Sequence, residues 1–117
     1  MTEYRNFSDY ETALKRALNT AREAGKVCAC CPTHKAQGNK KAALNEFADL
    51  LANVPEGLAV VITINIMGGG YKSFPLYRGE FDVFYGVISA GNRAFTAADV
   101  IALCFVSHRV SVVDVVG

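Results

Sequence analysis

The sequence predicts an α+β fold in which helices pack against one face of a mostly antiparallel, four-stranded sheet. The first observation is Leu58–Met67, an uncharged and β-branched stretch bounded by Pro55-Glu56-Gly57 and by Gly68-Gly69-Gly70, as expected of a central strand. The second is helical periodicity in the segments that precede this strand. The third is the shortness of the connections after it, which favours antiparallel pairing. The predicted element order is α-α-β-β-β-α-β.

The first half of the chain predicts two helices. Ser8 and Glu11 have the spacing of a capping box, so we expect a helix from Asp9 to Ala24 that ends at Gly25. Lys26–Asn39 contains proline and glycine and is predicted to be a loop. The second helix is expected over Lys40–Asn53, with an apolar stripe at Leu44, Phe47, Ala48 and Leu51.

The central strand has two different faces. One face carries Val60, Ile62, Ile64 and Ile66, and the other carries Ala59, Val61, Thr63 and Asn65. Two further strands are predicted over Tyr71–Tyr77 and Phe81–Ser89. Because Pro75 cannot donate a ladder hydrogen bond, the first of these two is expected at an edge of the sheet.

The C-terminal part predicts one helix and one strand. Thr96 and Asp99 have the spacing of a capping box, and the apolar residues that follow indicate a buried helix over Ala97–Ser107. A valine-rich strand is expected over Arg109–Val116. The residues predicted to form the core are Ile62, Ile64, Leu103 and Phe105, covered by Leu14 and Leu18.

Length and charge exclude several classes of protein. A chain of 117 residues suits a single domain over residues 1–117. Lys plus Arg number 12 and Asp plus Glu 11, so the net charge of +1 gives no reason to expect binding to nucleic acid or to a membrane surface. The polar N-terminus lacks an apolar signal core, and no apolar run reaches about 20 residues. We therefore expect a soluble, cytoplasmic protein.

The cysteines and histidines fall into two clusters, which raises the question of zinc. An i,i+4 pair on the predicted third helix and a cysteine-rich loop could together supply a tetrahedral ligand set. The candidate ligands are Cys28, Cys31, His34, Cys104 and His108. The alternative is that Cys104 is a core residue, that His108 lies at a helix end for electrostatic reasons, and that the loop cysteines are incidental. The spacing matches no standard zinc motif, so no cofactor is expected, with zinc kept as the alternative.

Other motifs carry less information. Cys28 and Cys31 have Cys-x-x-Cys spacing, but a helix rather than a strand precedes them, which disfavours a thioredoxin-like site. Gly68-Gly69-Gly70 and Lys72 lack the spacing and the following helix of a phosphate-binding loop. No catalytic signature frames any serine, histidine or aspartate.

These observations favour a small, non-enzymatic protein that binds another protein and forms a homodimer. The valines of the last segment cannot all face one core, and exposed apolar side chains often mark an interface. The candidate interaction residues are Tyr71, Lys72, Tyr77, Arg78, Val113 and Val115. Small size without motifs also suits a phage or mobile-element inhibitor of a host defence system. The alternatives are a small-ligand-binding domain or enzyme with a pocket between sheet and helices, and a zinc-stabilised interaction module.

Overall fold

The computed structural model describes residues 7–66 and 68–107 and has an α+β architecture, as predicted. Within these residues, two helices precede six strands, and the strands form two separate antiparallel sheets with the orders β2-β1-β6 and β3-β4-β5. The element bounds are α1 Phe7–Cys30, α2 His34–Ala52, β1 Leu58–Asn65, β2 Tyr71–Leu76, β3 Asp82–Phe84, β4 Val87–Ala90, β5 Arg93–Phe95 and β6 Val100–Ser107, with a 3₁₀ turn, Ala97–Asp99, before β6. The predicted single four-stranded sheet is therefore wrong in detail.

Both helices are longer than predicted. α1 already includes Ser8 and continues through Gly25, because a glycine inside a helix costs only about 1 kcal/mol when packing favours the helix. The residue before a proline disfavours helical backbone, and α1 accordingly ends at Cys30, two positions before Pro32. Thr33 then caps α2, and its hydroxyl accepts a 3.0 Å hydrogen bond from the amide of Ala36. The predicted loop over Lys26–Asn39 is thus reduced to three residues.

The predicted central strand is confirmed. β1 lies between β2 and β6, and its inner face, defined here by Val60, Ile62 and Ile64, is buried. The helices pack on that face with an apolar stripe from each. The helical residues in this core are Tyr10, Leu14, Ala17, Leu18 and Ala21 from α1, and Ala43, Phe47, Ala48 and Leu51 from α2. Leu103 and Phe105 are only partly buried against it. β2, which contains Pro75, is an edge strand, as predicted.

The predicted third helix, Ala97–Ser107, is wrong. The Thr96–Asp99 capping box is present, but it caps a single 3₁₀ turn, after which the chain becomes β6. A run that is apolar at every position has no period that distinguishes helix from strand. Pairing with β1 decides the outcome, since β6 supplies the backbone partners that one edge of β1 requires. The predicted strand Arg109–Val116 lies outside the described residues.

The predicted strand Phe81–Ser89 is two strands joined by a tight turn. Tyr85 and Gly86 have φ angles of +49° and +79°, which is typical of a two-residue type I′ hairpin. The resulting second sheet joins the same core through Ile88 and Phe95. The rings of Phe74 and Phe95 meet edge to face with centroids 5.6 Å apart, and they join β2 of the first sheet to β5 of the second.

Replacing Ile62 by alanine should lower the free energy of unfolding by about 2–5 kcal/mol, because Ile62 is fully buried and its removal leaves a cavity. Val61→Ala is the matched control, since Val61 is the adjacent β-branched residue on the other, half-buried face. Chemical denaturation measures both variants. Equal losses for the two variants would contradict the assignment of the inner face.

Replacing Gly86 by alanine should destabilise the fold for two reasons. A positive φ costs a non-glycine residue about 1–2 kcal/mol. In addition, the added Cβ would lie 3.0 Å from the Asn45 side-chain oxygen and 3.4 Å from Leu44. Gly91→Ala isolates the first cost, because Gly91 also has a positive φ but no atom within 4 Å of an added Cβ. Thermal denaturation should show the larger loss for Gly86→Ala, and equal losses would contradict the contact with α2.

Candidate functional site

The face of the first sheet that points away from the helices carries no charged side chain among its described residues. Residues directly opposite each other in an antiparallel ladder point to the same side of the sheet. The register therefore defines this outer face as Ala59, Val61, Thr63 and Asn65 of β1, Tyr71, Ser73 and Pro75 of β2, and Ala102, Cys104 and Val106 of β6. Its polar centre is internally satisfied, because the hydroxyls of Thr63 and Ser73 lie 2.7 Å apart.

The outer face is most accessible along its two edge strands. Tyr71 is 72% exposed and Val106 is 49% exposed, and Ala102 and Cys104 are exposed beside Val106. Val61 and Thr63 on β1 are half-buried. The accessible side chains along β6 are therefore small, apolar or sulfur-containing, which is the composition of an interface core rather than of a solvated surface.

The two edges of this sheet differ in how they are protected. β2 carries Lys72 and Pro75, and a lysine and a proline are two devices by which edge strands resist pairing with another chain. β6 carries no charge and no proline over Val100–Ser107. Among the described residues, no strand other than β1 pairs with β6. Its outer edge is thus a row of backbone donors and acceptors suited to accept a further strand.

Arg22 of α1 holds the beginning of β6. Its Nη2 donates 2.8 Å hydrogen bonds to the backbone carbonyls of both Val100 and Ile101. The register there pairs Ile64 with Val100 but Thr63 with Ala102, so Ile101 is the extra residue of a β-bulge. The guanidinium therefore satisfies acceptors at the point where the ladder is disrupted, and it joins the helix layer to the edge strand.

The β3–β4 hairpin presents a second exposed apolar feature. Phe84 and Tyr85 lie next to its turn with ring centroids 4.4 Å apart, and both side chains are more than two-thirds exposed. Gly86, buried in the same turn, approaches Leu44 and Asn45 of α2. The close approach of this glycine to α2 thus fixes the position of the aromatic pair. The predicted strand Phe81–Ser89 did not include this turn, although a glycine in the middle of a strand pattern is the signal that indicates one.

The sequence-predicted interaction residues are spread over β2 and the turn after it. Tyr71, Lys72 and Arg78 are exposed, and Tyr77 is half-buried. Only Tyr71 belongs to the outer face, because Lys72 lies in the register of Ile64 on the opposite side. Val113 and Val115 lie outside the described residues. The accessible residues of β6 were missed because that segment was predicted to be a buried helix.

The structure separates the predicted metal ligands. Cys28 and Cys31 lie at the end of α1 and His34 at the start of α2, whereas Cys104 lies on β6. The ammonium of Lys15 lies 5.6 Å from the centroid of the Phe105 ring, and Arg22, later in α1, donates to the carbonyl of Ile101, earlier in β6. The two elements therefore run in opposite directions. Cys28 follows Lys15 by 13 residues, which is about 20 Å of helix, and lies away from Cys104.

No group of three or more histidine, cysteine, aspartate or glutamate side chains within residues 7–66 and 68–107 could hold a metal ion. His108, the remaining candidate ligand, lies outside those ranges. All four cysteines are free thiols, and Cys104 is exposed rather than buried in the core. The interpretation of Cys104 as a core cysteine on a helix is therefore wrong, because the residue lies on the outer face of a strand.

The described residues of the helices and of the first sheet pack against each other in the apolar core. Cavities occur elsewhere. A groove of 630 Å³ runs between α1 and α2 beside Ala24, Val27 and Ala43. A smaller one of 410 Å³ lies where Asn65 of β1 meets Arg93 and Asp99.

Comparisons of the chain with protein-family models, with the sequences of characterised proteins and with solved structures give no match. Neither of the two described helices is long and apolar enough to cross a membrane.

Replacing Arg22 by methionine should lower the free energy of unfolding by about 1–2 kcal/mol, because it keeps the aliphatic stem and removes two charge-assisted hydrogen bonds from a half-buried donor. Arg16→Met is the matched control, since Arg16 is an exposed arginine on the same helix. Urea denaturation measures both variants. A loss for Arg16→Met that equals the loss for Arg22→Met would contradict a specific role for the contact with the bulge.

Proposed function

We propose that this chain is a non-enzymatic protein-binding module whose first partner is a second copy of itself, joined through the free edge of β6. The observation that supports the proposal most directly is the contrast between the edges of the first sheet. Lys72 and Pro75 protect β2, whereas the described residues of β6 carry no equivalent feature.

Self-association through β6 agrees with the symmetry rules for homodimers. Two copies of one strand that pair antiparallel are related by a two-fold axis, and two-fold dimers are the commonest homo-oligomers. The joined sheet would have the strand order β2-β1-β6-β6-β1-β2. Both outer faces would then lie on the same side, with the four helices on the other. This arrangement satisfies the edge donors and acceptors of β6 and places the exposed side chains of Cys104 and Val106 at the junction.

The joined outer faces would present a single large, uncharged surface to a second partner. Tyr71 would lie near each end of that surface, so the interaction residue predicted on β2 and those found on β6 contribute to one face. An inhibitor of a host defence system, the role expected from the size of the chain and its lack of motifs, would use this surface to cover a site on its target.

Light scattering at micromolar concentration, with the thiols kept reduced, tests the dimer. We expect a mass of twice 12.6 kDa for the unmutated chain. Cys104→Lys should produce a monomer, because each copy would bring a positive charge to the junction, where like charges repel. Tyr71→Lys is the matched control: it adds the same charge to an exposed residue of the same face, but on the protected edge.

Several outcomes would contradict the proposal. A monomeric mass for the unmutated chain would refute the dimer. If Val113→Lys and Val115→Lys dissociate the dimer while Cys104→Lys does not, the C-terminal valines rather than the edge of β6 join the copies. Loss of the dimer in Tyr71→Lys alone would transfer the interface to β2.

A further inference from the structure

Two cysteine sulfurs lie close together at the junction of the helices. Cys30 is the last residue of α1 and Cys31 follows it, and their Sγ atoms are 3.8 Å apart. Both side chains are exposed. The backbone of Cys31 is held from both sides, because its amide donates to the carbonyl of Val27 at 2.9 Å and its carbonyl accepts from the amide of Thr33 at 2.7 Å.

This separation is the one that two sulfur ligands of a tetrahedral Zn²⁺ ion require. Zinc binds thiolate sulfur at about 2.3 Å in a tetrahedron, which places two sulfur ligands about 3.8 Å apart. A disulfide would instead require the sulfurs to approach to about 2.05 Å, and adjacent residues reach that distance only with strain. The observed separation therefore matches that of two sulfur ligands of one Zn²⁺ ion, whereas the sulfurs would have to approach each other to close a disulfide.

We infer that Cys30 and Cys31 form a two-thiolate site for a thiophilic metal ion of the class of Zn²⁺ and Cu⁺. Each thiol releases its proton to solvent, two sulfur–metal bonds form, and two water ligands leave the ion, so no oxidant or reductant takes part. Among the described residues, no third histidine, cysteine, aspartate or glutamate joins this pair, so the other coordination positions belong to solvent or to a small ligand. A structural zinc site is closed by four protein ligands, and this site is open. The ion it holds is accordingly exchangeable.

The metal site is independent of the proposed dimer. It lies at the end of α1, about 20 Å along the helix from the residue that contacts β6 near Cys104. It also differs from the zinc set predicted from the sequence, because it uses Cys30, which that set omitted, and it excludes Cys104.

Metal titration of the reduced, metal-free chain tests the site. Zn²⁺ is titrated in competition with a chromophoric chelator, Cu⁺ in the same way in a second arm, and Co²⁺ is used as a spectroscopic probe of thiolate coordination. We expect about one ion per chain, ultraviolet thiolate-to-cobalt absorption, and binding that weakens as the pH falls because protons compete for the thiolates. Uptake of either Zn²⁺ or Cu⁺ supports the site, and the two arms identify the ion.

Variants identify the ligands. Cys30→Ala and Cys31→Ala should each lower the affinity at least about tenfold, since each removes one of two sulfur ligands. Both residues are exposed, so circular dichroism should show an unchanged fold. Cys104→Ala is the matched control, an exposed cysteine elsewhere, and should bind like the unmutated chain. The inference is overturned if no ion binds at micromolar concentration, if both single variants bind normally, or if Cys104→Ala loses the ion.

Discussion

The burial of one face of β1 is the constraint on which the other elements depend. Val60, Ile62 and Ile64 require apolar cover above them and backbone partners on both sides. Two amphipathic helices supply the cover, while β2 and β6 supply the partners. Since a strand directs alternate side chains to opposite faces, the helices that cover the inner face do not cover Val61 and its neighbours on the other side. The outer face is therefore a consequence of the same alternation that builds the core.

The second sheet extends this core rather than forming a separate one. Ile88 and Phe95 are buried together with the residues of the helices and of β1. The edge-to-face contact between Phe74 and Phe95 joins the sheets. Gly86 approaches α2 in the same region, so short strands that would be marginal alone are held by side-chain packing. The position of the exposed Phe84–Tyr85 pair is thereby linked to that of α2.

Sequence patterns predicted the elements whose periodicity is clear and failed where the pattern is ambiguous. The β-branched run of β1 indicates a strand and the apolar stripes indicate helices, so the fold class could be predicted from these three elements. The segment after Thr96 is apolar at every position, so its strand state is decided by β1, which is distant in sequence. The end of α1 was missed for another reason. Gly25 ends a helix only when its backbone leaves the helical region, and local composition does not reveal that choice.

The prediction of the candidate site was also limited where the sequence pattern is ambiguous. Tyr71 was predicted as an interaction residue because its aromatic side chain and its strand were both evident in the sequence, whereas the exposed residues of β6 were not considered because that segment was predicted to be a helix. The zinc set stays a prediction, and its Cys104 lies on a strand rather than on the helix that an i,i+4 pair of ligands requires. Cys30 and Cys31 are adjacent at the end of α1, and their spacing in the sequence does not report the 3.8 Å distance between their sulfurs.

The difference between the two edges of the first sheet also decides how far any assembly can grow. In the part of the chain that the structure describes, one edge of that sheet is open and the other carries Lys72 and Pro75. A strand that is added at β6 therefore exposes no new open edge, since each added copy ends in its own β2. Two copies joined through β6 would complete a closed unit, whereas a sheet that was open on both sides could continue into a fibre. The positions of one lysine and one proline thus favour a finite assembly over a polymer.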